Sequence, residues 1–381
     1  MSRLARSALH RIRPGLAALT AAGAVLAAGV LQPPAAASAP RNAPRALGAG
    51  APFAGGTPSA ARTLTDRLTT PWGIGFLPGG KAALVTERGT AVVWKVGLNG
   101  TKKRVGTVPN AVWHQATQDK GGLLGVAASP TWNGTTDKDV FFMETTAGDN
   151  RVVKMRFDGT SLSGYTPVLT GIVRDTQLNG GKIAFGPDGY LYVTTGDARR
   201  SKLAQDRKSL NGKILRITRS GAAAPGNPFG NRVYSYGHRN PQGLAWDRRG
   251  RLWETEIGLT TWDELNLVKP GGNYGWPACE GVCGKPGTTN PKFVWNPDDG
   301  GVPAQIAVVR DVVYASTLSG HRLWRLPIDS TGQDIGEATS YFDGTYGRLR
   351  ALARVPGTDR LWLGTSDRGP GRDLILTVTI K

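Results

Sequence analysis

Arg348 and Arg350 stand two residues apart in the segment YGRLRAL. On an extended segment that spacing points both guanidiniums to one side. There they suit two grips on a single dianion, since a guanidinium pairs bidentately with a carboxylate; the alternative is a solvated strand face. Cys279 and Cys283 are the only cysteines and lie four apart in CEGVC. Two thiols without further ligands nearby do not make a metal site, and the spacing is not that of a redox C-x-x-C. A structural disulfide is the expected state. No nucleophile–His–acid segment and no paired carboxylates stand out, which argues against a hydrolase.

The elements that must position these groups repeat along the chain. The segment GIGFLPGGKAALVTERGTAVVWKV from Gly73 holds a strand, a Pro-Gly-Gly turn, a second strand ending in Thr-Glu, and a third strand. GKIAFGPDGYLYVTTGD from Gly181 and QGLAWDRRGRLWETEIG from Gln242 repeat the scheme, and weaker copies start at Gly125, Gln305 and Arg350. The spacings between successive marks are 52, 56, 61, 63 and 45 residues. Short apolar strands joined by Gly, Pro and Asp turns at that period describe four-stranded propeller blades rather than the hairpins of a barrel. Six copies predict an all-β, six-bladed β-propeller of four-stranded antiparallel blades. Loops distant in sequence then converge at one mouth of the central channel.

Composition agrees with a turn-rich globular chain: 53 Gly and 25 Pro in 381 residues, with 11 Trp, 9 Tyr and 9 Phe. The absence of a G-X-Y period excludes collagen, and the aromatic content excludes a disordered polyelectrolyte. The formal charge is +19; Arg3, Arg6, Arg11 and Arg13 precede residue 40 with no acid among them, which leaves +15 for the rest. Those arginines are followed by an apolar run from Gly15 to Leu31 and small residues from Ala35 to Ala39. This pattern predicts a secretory signal peptide over residues 1–39. A flexible Ala/Gly/Pro leader is expected over 40–62 and the propeller over 63–381. The expected location is secreted, extracellular or periplasmic, with no membrane span after signal cleavage. The remaining basic residues are scattered and carry no basic helix or RNA-binding signature, so nucleic acid is not an expected partner.

Four segments resemble one family: YSYGHRNPQGLAWD (Tyr234–Asp247), WDELNLVKPGGNYGWP (Trp262–Pro277), GGLLGVAASP (Gly121–Pro130) and AFGPDGYLYVTTGD (Ala184–Asp197). They look like the soluble PQQ-dependent aldose dehydrogenases, the glucose/sorbosone dehydrogenase family, and the resemblance runs from about Leu64 to the C-terminus. It implies a six-bladed propeller that oxidises an aldose, or a related cyclic alcohol, by hydride transfer to pyrroloquinoline quinone (PQQ). The electron acceptor beyond PQQ stays unknown. By the same resemblance, Arg239 and Asn240 lie beside the quinone and Arg348 and Arg350 grip PQQ carboxylates. Gly258 and Leu259 offer backbone carbonyls to the Ca²⁺ on PQQ, and hard Ca²⁺ takes oxygen ligands. Glu264 and Tyr274 match positions around a second, structural calcium, although Glu264 equally suits a hydrogen bond to a blade turn.

The departures bear on catalysis. The family's catalytic base is a His nineteen residues before the Asp of TTGD, and counting back from Asp197 gives Leu178. Asp197, which would orient that His, is retained and is itself a candidate catalytic group with Arg239. Ser319 replaces a family Lys or Arg that faces the cofactor, and Lys120 stands where Gln or Glu is usual. Lys120 is a candidate to supply the missing cation at the same mouth. Of the four histidines, His10 falls in the signal peptide and His238 reads as structural, which leaves His114 and His321 as candidates for a relocated base. The alternative to a working dehydrogenase is a binding propeller that holds a glycan, quinone or protein partner at its channel mouth.

Overall fold

The computed structural model describes residues 56–114, 119–366 and 368–381. The expected signal peptide and the leader through residue 55 lie outside them. Twenty-four strands form six four-stranded antiparallel sheets. Blades one to five take their strands consecutively from residues 71–107, 123–172, 183–236, 241–295 and 303–341. Blade six combines Arg348–Arg354, Arg360–Ser366 and Asp373–Thr379 with the N-terminal strand Arg62–Leu68 as its outermost member. The six-bladed architecture predicted from the repeat is therefore present. The only helical element among the described residues is a 3₁₀ turn at Ser201–Ala204. No helix among them is long and apolar enough to cross a membrane.

The propeller begins earlier than residue 63. Gly56 and Ser59 donate backbone N–H groups to the carbonyls of Lys381 and Thr379, and the Tyr314 hydroxyl donates to Gly56 O. Residues 56–62 are thus built into blade six by pairing that composition alone does not announce.

The strand pattern explains the packing. Second strands such as Ala82–Glu87, Leu252–Glu256 and Val312–Thr317 are buried along their whole length, because a blade's two faces each meet a neighbour. Buried apolar clusters bridge the successive blades. Leu84 and Val93 meet Phe142 and Val153, Trp253 and Leu265 meet Ile306 and Val313, and Trp362 and Ala351 meet Ile74 and Val85. Hydroxyls at the repeated Thr/Ser of the second strand stitch one blade to the next. Thr86 donates to Leu124 O at 2.6 Å, Thr255 to Ala304 O at 2.8 Å and Ser316 to Arg350 O at 3.2 Å. Glycine in the first strand admits this contact: a Cβ on Gly243 would lie 2.4 Å from Thr255 Oγ1.

Buried carboxyls give the fold a pH signature, Glu144 among them. Burial pushes Glu144, in the second strand of blade two, up to about 7, with the Tyr165 hydroxyl donating to it. Between its ordinary 4.5 and about 7 the folded state holds a proton that the unfolded chain has released, so stability falls as pH rises through that window. Melting temperatures should be several degrees higher near pH 5 than near pH 7.5, and Glu144→Gln should reduce the difference, with part of the remainder coming from Glu264, which burial pushes up to about 8. An unaltered slope in that variant would assign the dependence to another group.

Candidate active site

Loops that enter the first strands and leave the second strands meet at one mouth of the channel, around a cavity of about 290 Å³. Its wall carries Arg239 and Asn240 at the entry to blade four, Arg348 and Arg350 at the start of blade six, and Lys120 at the entry to blade two. Trp72, Leu178, Gly258 and Leu259 complete the parts that matter for chemistry. Among the described residues, four cations line this cavity and no carboxylate or histidine does.

Each arginine is held by a specific neighbour. Arg350 is buried, its guanidinium 5.9 Å from the Trp72 ring centroid and its Nη1 donating to Gln242 Oε1 at 3.3 Å. Arg239 lies 5.5 Å from the Trp276 ring centroid, and its Nη1 donates to the carbonyls of Ile257 and Gly258. Its Nε is buried with no hydrogen-bond partner among the described residues. Burial draws the Arg239 guanidinium below its ordinary value. Asn240 accepts from Gly180 N and Gln242 Nε2, both at 3.1 Å, and so ties blade four to the segment that carries Leu178.

Behind this wall, Glu256 fixes the GHRN loop by accepting the backbone N–H groups of Arg239 and Asn240. Its other oxygen meets His238 Nδ1 at 2.8 Å, and His238 Nε2 meets Ser235 Oγ at 2.8 Å. His238 stacks on Tyr274 with ring centroids 4.7 Å apart, so this histidine is structural, as its place in the motif suggests.

Asp197 is buried and lies outside the cavity wall. Its Oδ2 accepts Trp276 Nε1 at 2.8 Å and its Oδ1 accepts Arg199 N at 2.8 Å, and burial pushes its carboxyl up. Leu178, by contrast, faces the cavity from a left-handed backbone with φ 59°, and its carbonyl accepts Ala198 N, next to Asp197, at 3.1 Å. Leu178 therefore sits on the wall itself. Neither His114 nor His321 lines the cavity, and Ser319 is exposed beside the lining residue Leu318.

The residues singled out for calcium divide into two places. Gly258 and Leu259 line the cavity, and Leu259 is 56% exposed. Glu264 is buried in blade four, where it accepts Gly281 N at 2.7 Å and Asn266 Nδ2 at 3.0 Å. The Tyr274 hydroxyl donates to Leu267 O and accepts Lys269 N, both at 2.9 Å. His238, Glu254 and Glu256 bring ligand atoms within 4.8 Å of one another in the same buried layer. The expected disulfide between Cys279 and Cys283 is formed.

Sequence reasoning missed Trp276, Glu256 and Gln242. The first stands in NYGWP and the second in TEIG, both inside motifs that were read for other residues.

Residues 68–375 match the family model described as glucose/sorbosone dehydrogenase. The chain is 43% identical to the PQQ-bound aldose sugar dehydrogenase of Streptomyces coelicolor, covering 87% of this chain and 100% of that one with a TM-score of 0.80. It is 32% identical to aldose sugar dehydrogenase YliI of Escherichia coli over 56% of this chain, and spans 60% of that protein's length. With quinoprotein glucose dehydrogenase B of Acinetobacter calcoaceticus it shares 30% identity over 58% of this chain and 52% of the relative. A family match over most of a six-bladed propeller, with the GHRN arginine and asparagine set into the cavity wall, leads to one assignment: the chain belongs to the glucose/sorbosone dehydrogenase family.

Proposed function

We propose that this chain is an exported, PQQ- and Ca²⁺-binding sugar dehydrogenase-type propeller whose proton-accepting residue has been replaced by Leu178. The observation that carries the reading is the cavity wall: among the described residues it gathers Lys120, Arg239, Arg348 and Arg350, and the buried Arg239 Nε has no partner among them. PQQ bears three carboxylates and a quinone, and a site for it requires this donor set. Calcium is supported by the place of Gly258 and Leu259 on the cavity wall, where the Gly258 carbonyl already accepts a cationic donor from Arg239. When bound, PQQ supplies the two-electron acceptor for oxidation of an aldose or related cyclic alcohol, and Ca²⁺ the Lewis acid beside it.

The protein's own contribution is position and charge. Arg348 and Arg350 bind carboxylates from one side, Lys120 adds a cation at the entry to blade two, and Asn240 fixes the floor between blades three and four. Trp276 orients both Arg239 and Asp197, one by its face and the other by its N–H. Among the described residues the wall carries no carboxylate or imidazole to accept a proton from a sugar hydroxyl, and a missing general base costs typically about 10²–10⁴-fold. That favours a second reading alongside the first: a propeller that holds a quinone, a glycan or a protein partner with little turnover. Export is supported by the basic-apolar-small leader and by a disulfide, which persists in oxidising compartments.

Titrating PQQ absorbance with purified protein in calcium buffer, then following dye reduction over a panel of aldoses, tests the proposal. Saturable, calcium-dependent PQQ binding with weak sugar-dependent reduction is the expected result. No PQQ binding would end the redox reading.

A further inference from the structure

We infer that Glu280, held inside the Cys279–Cys283 loop, is a positioning residue that aims the Gly258 and Leu259 carbonyls at the cation. The inference rests on the cofactor reading above and adds a residue outside the cavity wall. Its basis is a single oxygen. Glu280 Oε1 accepts the backbone N–H groups of Leu259, Thr260, Thr261 and Trp262 at 2.6, 2.8, 3.0 and 3.2 Å. Successive N–H groups converging on one anion form a nest.

Peptide planarity turns this nest into an aiming device. In a trans peptide the N–H and C=O point in opposite directions. The N–H of Leu259 belongs to the peptide whose carbonyl is Gly258 O, and the N–H of Thr260 to the one whose carbonyl is Leu259 O. Fixing those two N–H groups on Glu280 turns both carbonyls the other way, and Gly258 O there meets the Arg239 guanidinium. The anion at the N–H end also aligns two peptide dipoles whose negative ends face the cation.

The loop that carries Glu280 is itself anchored. The disulfide brackets it, Gly281 N donates to Glu264 Oε1 at 2.7 Å, and Cys283 N donates to Asn290 Oδ1 at 2.8 Å. Gly258 leaves room for the carboxylate: a Cβ there would lie 2.7 Å from Glu280 Oε1 and 1.9 Å from Trp262 O.

The test is calorimetric calcium titration of the purified protein, with and without PQQ, beside amide hydrogen exchange of residues 259–262 in the metal-free state. Glu280→Gln keeps size and an acceptor oxygen but removes the charge. It should weaken calcium by about tenfold or more, the worth of a charge-assisted contact. Exchange at 259–262 should quicken, while PQQ affinity in calcium-free buffer stays unchanged. Reducing the disulfide in the unsubstituted protein should weaken calcium in the same direction, which keeps the test open if the variant folds poorly. Calcium bound equally tightly by the variant and by the reduced protein overturns the clamp and leaves the cofactor reading standing. An unsubstituted protein that takes up no calcium overturns both.

Discussion

Leu178→His should raise sugar-dependent dye reduction by roughly 10²–10⁴-fold with PQQ and calcium present, the span a general base contributes. The site is prepared for the change. Leu178 already faces the cavity, and its φ of 59° is a conformation that histidine adopts more readily than a branched apolar residue. Its carbonyl is bonded to Ala198 N, which ties its segment to the residue next to Asp197, a carboxylate fixed by Trp276 and Arg199. Such a carboxylate can orient an imidazole and stabilise its protonated form. PQQ affinity should change little, because the gain lies in proton transfer. A variant that binds PQQ and reduces dye no faster than its parent would show that the chain accepts the proton through some other group.

Arg239→Leu should weaken PQQ by roughly 10- to 150-fold, corresponding to about 1.5–3 kcal/mol for a charge-assisted hydrogen bond. The guanidinium is buried against Trp276, so its replacement removes a charge that water does not replace. It also leaves the Ile257 and Gly258 carbonyls without their donor, and calcium should then meet less competition for them. The two measurements should therefore move apart, with PQQ weaker and calcium in the absence of PQQ equal or tighter. A parallel loss of both would indicate a collapsed loop instead of a lost contact. PQQ affinity unaltered in the variant would remove Arg239 from the cofactor site.

The architecture was legible because a propeller repeats its own grammar. The hairpin from Gly73, its copies at Gly181 and Gln242 and the weaker ones at Gly125, Gln305 and Arg350 together give the count of six. Arg239, Asn240, Arg348 and Arg350 were legible for a different reason, since short motifs carry them and the closed ring brings loop starts to one mouth. What escaped is the layer that acts through main-chain groups. Glu256 and Glu280 serve backbone N–H donors, and those donors have no residue type to read. Ser319 and Leu318 show the same limit at finer scale, because one residue of loop geometry decides which of them reaches the cavity. Residues 56–61 are small, with only Thr57 and Ser59 polar, and their order comes from partners distant in sequence, Thr379, Lys381 and Tyr314.

That far-end pairing sets a schedule for the newborn protein. Thr70 N donates to an oxygen of Asp373, 303 residues away, and among the described residues Arg62–Leu68 has its one sheet neighbour in Asp373–Thr379. Blades one to five can assemble as they emerge, whereas the first strand waits for the final few residues to arrive. Contacts this distant in sequence form late and slowly. Until then the strand Asp373–Thr379 would complete, the incomplete sixth sheet presents an open edge, the kind of surface on which chains aggregate. A chain stopped short of Asp373 would be left as an unlatched ring, with an orphan strand at one end and an unprotected edge at the other.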